Sequence, residues 1–366
     1  MNNSVIDLFA GCGGFSVGFE DAGFTVTKAV EFDKQIASTY AANHKDAQLI
    51  VDDIGHVDNK EYFSKGEAPV IVGGPPCQGF SMAGARIRSN GFIDDPRNYL
   101  FKHYVNVVII VRPKVFVLEN VKGILTMKGG DIFREIVKTF SSPETFGGDR
   151  YYLHYKVVRA VEYGIPQKRE RVVIIGRLNK DFDIDTLFER TKSSILKDIP
   201  HFFDSVTVND AIGDLPHPDS DGLVTANLAI QSDYAKSLNR GTKVISNHKA
   251  THHSPLALNR MHRVHGGENW TVLEETIHSV HSGAYGRLVS DGLSATITTR
   301  FDTPSGGRFT HPSEDRTITP REAARIQSFP DSFVFMGSRT SICKQIGNAV
   351  PPKMAFFLAN VVKQLI

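Results

Sequence analysis

The 366-residue chain has little cysteine: Cys12, Cys77 and Cys343 are its only three, far apart in sequence. So few, so scattered, build neither a disulfide framework nor a cysteine-rich zinc site, and a reducing compartment fits. No apolar run approaches the roughly 20 residues a membrane span needs, and Asp7 interrupts the only apolar stretch near the N-terminus, so no leader is expected. Internal repeats and low-complexity tracts are absent. The net charge is only +2, so a nucleic-acid surface would have to be a local patch. These absences argue against a membrane protein and a disulfide-stapled secreted domain. A hydrophobic content of 41% and a charged content of 22% are those of a soluble globular protein, expected to be cytoplasmic. The length suffices for one large domain or two ordinary ones.

What is present is organised around Val70-Ile71-Val72-Gly73-Gly74-Pro75-Pro76-Cys77-Gln78-Gly79-Phe80-Ser81. The β-branched run Val70 to Val72 reads as a buried strand. Two glycines let the backbone leave the sheet at a tight angle, and two prolines fix the approach to Cys77. Open α/β sheets bind ligands at the carboxyl ends of their strands, where this thiol falls. Residues 79–98 are rich in Gly, Ser and Arg and read as a mobile loop. A rigidly presented thiol beside such a loop suggests a nucleophile under a closing cover. An isolated cysteine beside a turn is more often structural, but the Pro-Pro-Cys-Gln context favours the nucleophile.

Along the chain, strands are expected at 4–9, 25–32, 48–51, 70–72 and 115–118, with helices at 15–22, 34–43, 99–111 and 131–140. Residues 154–161 and 171–176 pair as later strands. This alternation predicts an α/β fold with a doubly wound, mainly parallel sheet. After Gly176 it fades. Residues 177–235 carry 11 Asp/Glu against 5 Lys/Arg, whereas residues 236–311 carry 9 Lys/Arg against 5 Asp/Glu and 8 of the 14 histidines. A second, smaller domain with a basic working surface at 236–311 follows from that reversal. A helix begins at Pro320, with proline in its first turn, and residues 352–366 read as an apolar helix returning to the first domain.

The first strand leads into Ala10-Gly11-Cys12-Gly13-Gly14, and the second ends in Glu31-Phe32-Asp33. A Gly-rich turn followed by an acidic residue closing the next strand is the layout of a nucleoside site. Glu31 can take both ribose hydroxyls, Phe32 can cover an adenine face, and Asp53 can accept from the adenine amine. Gly11 and Gly13 shape the turn. It departs from the dinucleotide Gly-x-Gly-x-x-Gly pattern, which favours a ligand without a pyrophosphate, such as S-adenosylmethionine (AdoMet).

Together, Asp7-Leu-Phe-Ala-Gly-Cys-Gly-Gly-Phe, Pro76-Cys77, Glu119-Asn120-Val121, Gln167-Lys168-Arg169-Glu170-Arg171 and Gln345-Ile-Gly-Asn-Ala-Val-Pro-Pro resemble the ordered blocks of the DNA (cytosine-5) methyltransferases. The blocks cover roughly the first 175 residues and the last 50. The resemblance implies a Rossmann-like AdoMet-dependent catalytic domain at 1–180 plus 341–366. Residues 181–340 would be the DNA-recognition domain, with a supporting helix near 321–328. It also implies that Phe15, Glu31, Phe32, Asp53, Ile54, Pro76, Leu100 and Asn348 line the AdoMet site.

The chemistry of the blocks can be stated on its own terms. Cytosine C5 is a poor nucleophile until a thiolate adds at C6, the role that fits Cys77. Glu119 can neutralise charge developing at N3 and accept from the exocyclic amine. Arg171 resembles the family arginine that holds cytosine O2, and Arg169 would fix the pocket or a phosphate. Isolated, Glu119 would be a surface carboxylate and the two arginines a solvated charge run. The target base must leave the duplex to reach the thiol. Arg86, Arg88 and Ser89 of the cover, with Arg97, would meet phosphates or the vacated stack.

Arg240, Lys243, Arg260, Arg287 and Arg300 are candidate DNA contacts, with Arg287 and the run Thr296–Arg300 the candidate base readers. Most such side chains would be phosphate contacts or solvated surface. The partners implied are double-stranded DNA and, by family analogy, a cognate restriction endonuclease, with the enzyme acting as a monomer on DNA. No metal is expected. A tRNA cytosine-5 methyltransferase and a non-catalytic DNA binder are the competing readings. The first is distinguished by product analysis on both nucleic acids. The second predicts loss of Cys77 or Glu119, and both are present.

Overall fold

The computed structural model describes residues 3–76, 100–227, 229, 231–275, 277, 279 and 281–366. The chain divides into two units. One comprises residues 1–159, 170–200 and 354–366, and the other residues 160–169 and 201–353.

The first unit is built on a seven-stranded sheet. Its elements begin with β1 (Ser4–Leu8), α1 (Gly14–Asp21), β2 (Thr25–Val30), α2 (Lys34–Asn43), β3 (Gln48–Ile50), the short α3 (Ile54–Val57) and β4 (Val70–Gly73). There follow α4 (Leu100–Val111), β5 (Val115–Val121), α5 (Asp131–Ser141) and β6 (Tyr151–Arg159). After the two-residue β7 (Gln167–Lys168) of the second unit come β8 (Glu170–Leu178) and α6 (Ile184–Asp198). The strand order is β3-β2-β1-β4-β5-β8-β6. The first five run parallel, and β8 lies antiparallel between β5 and β6. The expected α/β, mainly parallel sheet is what forms.

The period of two along β1 sorts its side chains. Ile6 and Leu8 join Tyr104, Val105, Val108 and Val111 of α4, with Phe116, Phe140 and Tyr151, in one continuous core. Burying each such side chain contributes about 1.5–3 kcal/mol. Asp7, on the opposite face, meets Ser16 of α1, whose hydroxyl donates to Asp7 Oδ2 at 2.7 Å and contacts the Tyr40 hydroxyl of α2 at 2.7 Å. Asp33 caps α2 by accepting from the N–H groups of Gln35 and Ile36, at 3.0 and 3.3 Å.

The second unit has less regular structure. It contains α7 (Val208–Ile212), α8 (Asp233–Asn239), α9 (Pro255–His262), β9 (Ser294–Ala295), α10 (Pro320–Ile326) and α11 (Arg339–Asn348). α12 (Pro352–Lys363) begins here and continues into the first unit. β7 pairs in parallel with β9. α10 starts with Pro320 and a reciprocal Thr319–Glu322 capping box and is buried along its whole length. Its arginines are spent inside the unit. Arg325 bonds Asp214 and Asp331, Arg321 donates to the carbonyls of Ser246, Pro330 and Phe333, and Glu322 takes Arg316 on both oxygens at 2.8 Å. Buried charges persist only where so fully paired. Among the described residues no helix is long and apolar enough to cross a membrane, and no group of His, Cys, Asp and Glu is placed to hold a metal.

Candidate active site

The carboxyl ends of β1, β2 and β3 carry the nucleoside side of the first unit. Gly11 and Gly13 have φ of +56° and +99°, conformations that favour glycine. The Gly11 N–H donates to Glu31 Oε2 at 2.9 Å, and the Asp33 N–H to Glu31 Oε1 at 2.8 Å. Both oxygens are thus fixed, yet each keeps a second lone pair for a ligand hydroxyl. Burial raises this carboxyl above its ordinary range, the two backbone donors pulling the other way. Beside it Phe32 is 65% exposed, an apolar ring outside the core. Asp53 accepts from Gly55 N–H at 2.9 Å, and Ile54 is buried beneath. Phe15 is buried in α1, Leu100 begins α4 half-buried, and Pro76 is exposed.

These residues fit AdoMet. A Cβ placed on Gly11 would meet no atom within 4 Å, so space is open above the turn. The polar groups around it are acidic, which suits a cationic ligand and not a pyrophosphate.

A second constellation lies where β4 and β5 end side by side. Glu119 sits on β5 opposite Val173 of β8, and Arg171 is opposite Val121. Glu119 and Arg171 are therefore diagonal neighbours on one face. Arg171 Nε lies 2.8 Å from Glu119 Oε1, with the two side chains only 14% and 10% exposed. The N–H is not aligned on that oxygen, which is buried and still has no hydrogen bond. A Cβ on Gly74 would stand 3.1 Å from Glu119 Oε2, so the bare backbone leaving β4 approaches the carboxylate closely. Asn120 Nδ2 donates to Pro75 O at 3.0 Å and so fixes the start of the Pro-Pro segment. Sequence reasoning quoted Asn120 within its motif but missed this clamp; its place after a strand-end glutamate is the available signal.

Cys77, with Arg86, Arg88, Ser89 and Arg97, lies outside the described residues. The other two cysteines are buried, and burial raises both thiols, that of Cys343 to about 12. A buried thiol with so little thiolate is no nucleophile.

In the second unit, Arg169 is 2% exposed and donates to the carbonyls of Gly347 and Ala349 at 3.1 and 2.8 Å. It is a positioning residue for the end of α11, on either side of the exposed Asn348. Gln167, missed as more than a motif member, accepts the Ile297 N–H and donates to Gln327, both at 3.0 Å.

The candidate base readers need correction. Arg287 is 6% exposed, and its donors are taken by the carbonyls of Met261, Val264, His311 and Glu314 and by the Asp315 carboxylate. No donor is left for a base, so Arg287 is a structural hub. Thr296 Oγ1 donates to Lys168 O at 2.7 Å, and a Cβ on Gly347 would fall 2.5 Å from Thr298 O. Thr296 and Thr298 are therefore engaged within the unit, and of that run only Arg300 stays exposed. Arg240, Lys243 and Arg300 remain exposed, and Arg260 is half-buried.

The sheet, the glycine turn and the acid closing β2 define an AdoMet-dependent methyltransferase fold. The model of the C-5 cytosine-specific DNA methylases matches residues 3–364. The Type II methyltransferase M1.HphI of Haemophilus parahaemolyticus is 36% identical over 371 residues, covering all of this chain and 88% of its own length. M.DdeI of Desulfomicrobium norvegicum is 33% identical, with 98% and 88% covered. Among solved structures, a prophage-encoded protein of E. coli assigned as a DNA modification methyltransferase superposes with a TM-score of 0.76 at 29% identity, covering 99% of each chain. The chain belongs to the C-5 cytosine-specific DNA methylase family, as a methyltransferase acting on DNA with S-adenosylmethionine as methyl donor.

Proposed function

We propose that this enzyme methylates C5 of a cytosine turned out of the duplex, within one short DNA sequence, through a covalent bond from Cys77 to C6. It acts as a cytoplasmic monomer on DNA and as the modification half of a restriction–modification pair. The observation that carries the reading is the Glu119–Arg171 pair. A buried carboxylate, held by an arginine and against Gly74, which precedes Cys77 by three residues, keeps one oxygen without a hydrogen bond. That oxygen suits the N3 and amino edge of cytosine, and Arg171 supplies a donor for O2.

The Cys77 thiolate adds to C6, and the displaced π electrons reach C5 while Glu119 shares a proton with N3. C5 would then take the methyl group that AdoMet supplies, the S–CH3 bond breaking so that the positively charged sulfur leaves as a neutral thioether. A base removes the C5 proton, the Sγ–C6 bond breaks, and the thiolate is regenerated. Glu31, with Gly11, Gly13, Phe15, Phe32, Asp53 and Ile54, would hold the donor. Arg86, Arg88, Ser89, Arg97, Arg240, Lys243 and Arg300 are proposed DNA contacts. The similarity to Type II enzymes supports the pairing with a nuclease.

Duplex DNA carrying 5-fluorocytosine tests the covalent step, because fluorine at C5 cannot leave as a proton. A denaturation-resistant complex should form with the wild type plus AdoMet and be absent with Cys77→Ser. Equal trapping by both proteins would overturn the assignment.

A further inference from the structure

In the second unit, Tyr285 has φ +54°, a left-handed conformation that a bulky side chain keeps only where its surroundings impose it. Here they do. Its N–H donates to Pro304 O at 2.6 Å, its carbonyl accepts from Thr310 Oγ1 at 3.3 Å, and two residues on Arg287 is locked by five acceptors. This rigid platform presents the Tyr285 ring to Arg260. The guanidinium lies over the ring, 5.5 Å from its centroid, and Nη1 donates to the hydroxyl at 3.2 Å.

The far side of Arg260 is unfinished. Its Nε stands 3.4 Å from Glu275 Oε2, and neither atom has an aligned hydrogen bond although both are buried. Glu275 Oε1 accepts from Arg263 Nη2 instead. A carboxylate presents two acceptors side by side, as does the O6/N7 edge of guanine, to which arginine forks. Glu275 thus meets Arg260 through one poorly aligned oxygen, where a base edge would offer two acceptors. Its charge also restrains two arginines from indiscriminate phosphate binding.

We propose that Arg260, oriented by Tyr285 and restrained by Glu275, reads a guanine in the major groove of the target sequence. The inference rests on the proposed function and names one of its specificity-determining residues.

The test is labelled methyl transfer to mixed genomic DNA with conversion sequencing, for the wild type and Arg260→Lys, which keeps the charge and loses the fork. The expected result is about a ten- to hundredfold fall on the wild-type sequence with relaxed choice at one guanine position, and an unchanged salt dependence of DNA binding. Tyr285→Phe should relax the same position less, with melting temperature and AdoMet affinity held. A uniform loss over all sequences, with the salt slope of Arg260→Gln lowered by about one, would make Arg260 a phosphate contact and overturn the proposal, as would an unaltered sequence preference. A wild type that labels no DNA would instead sink the proposed function itself.

Discussion

Glu119→Gln separates the chemical role proposed for the Glu119–Arg171 pair from its structural one. The substitution keeps side-chain volume and removes the charge. Arg171 Nε, 2.8 Å from Oε1, then faces an amide oxygen or nitrogen. The pair is an ion pair without an aligned hydrogen bond, more buried than a surface pair and less than a core one, so the fold should lose about 1–2 kcal/mol. For a unit of about 200 residues that is a fall in melting temperature of about 2–8 °C. The chemical step should lose far more. Proton handling by a positioned group is worth about 10²–10⁴-fold, or about 3–6 kcal/mol. Single-turnover methyl transfer, with DNA and AdoMet saturating, reads the second quantity, and thermal melting reads the first. AdoMet affinity by calorimetry should stay within about twofold, because Glu31 and the glycine turn are untouched. A rate within about threefold of wild type would refute the assignment of Glu119 to N3. So would a fall in AdoMet affinity as large as the fall in rate.

Three further outcomes are expected. Gly13→Ala forces φ +99° on an L-residue and puts a methyl 2.2 Å from His44 Nε2. His44 is fixed by Glu20 at 2.9 Å and by the Tyr40 ring at 4.5 Å, so melting should reveal a loss of about 2–5 kcal/mol. Arg169→Ala leaves the Gly347 and Ala349 carbonyls without their donor and should lower the urea midpoint by the equivalent of about 2–4 kcal/mol, whereas Arg169→Lys should restore part of it. Asp7 is raised from 3.8 to about 7, chiefly by burial. The folded state therefore binds more protons than the unfolded one between those values, and its stability declines as pH rises through that window. Asp7→Asn should remove this decline in urea titrations run from pH 4 to pH 7.5, and a slope identical to wild type would count against the buried carboxyl as its source.

Much of the first unit was legible because its strands are short β-branched runs with polar punctuation. Val70–Val72 and Val115–Leu118 are strands as read, inside slightly longer ones. The second strand stops at Val30, and Phe32 stands exposed beyond it. Glu31 was legible as an acid closing a strand; that it would brace the turn through Gly11 N–H was not, since spacing carries no hydrogen-bond direction. The second unit was least legible. Its segments have no period, and its arginines look alike in sequence whether solvated or interior. Arg287 follows Tyr-Gly like a presented side chain, yet the carbonyls that bury it come from residues 261, 264, 311 and 314. Long-range backbone acceptors leave no mark on a local motif. The domain limits read near 180 and 341 compare with units that divide at 200 and 353, because α6 packs with α12 and the chain's end: Phe188 meets Phe357 of α12 at 5.2 Å and Thr191 accepts from Gln364 at 2.7 Å.

The central claim is tested most directly by incubating the protein with methyl-labelled AdoMet and a mixture of genomic DNA and total RNA, then locating the product by conversion sequencing. The account predicts label in DNA as 5-methylcytosine, confined to one short recurring sequence, and none with Cys77→Ser. Label in RNA alone, or label in DNA that survives Cys77→Ser, would contradict it.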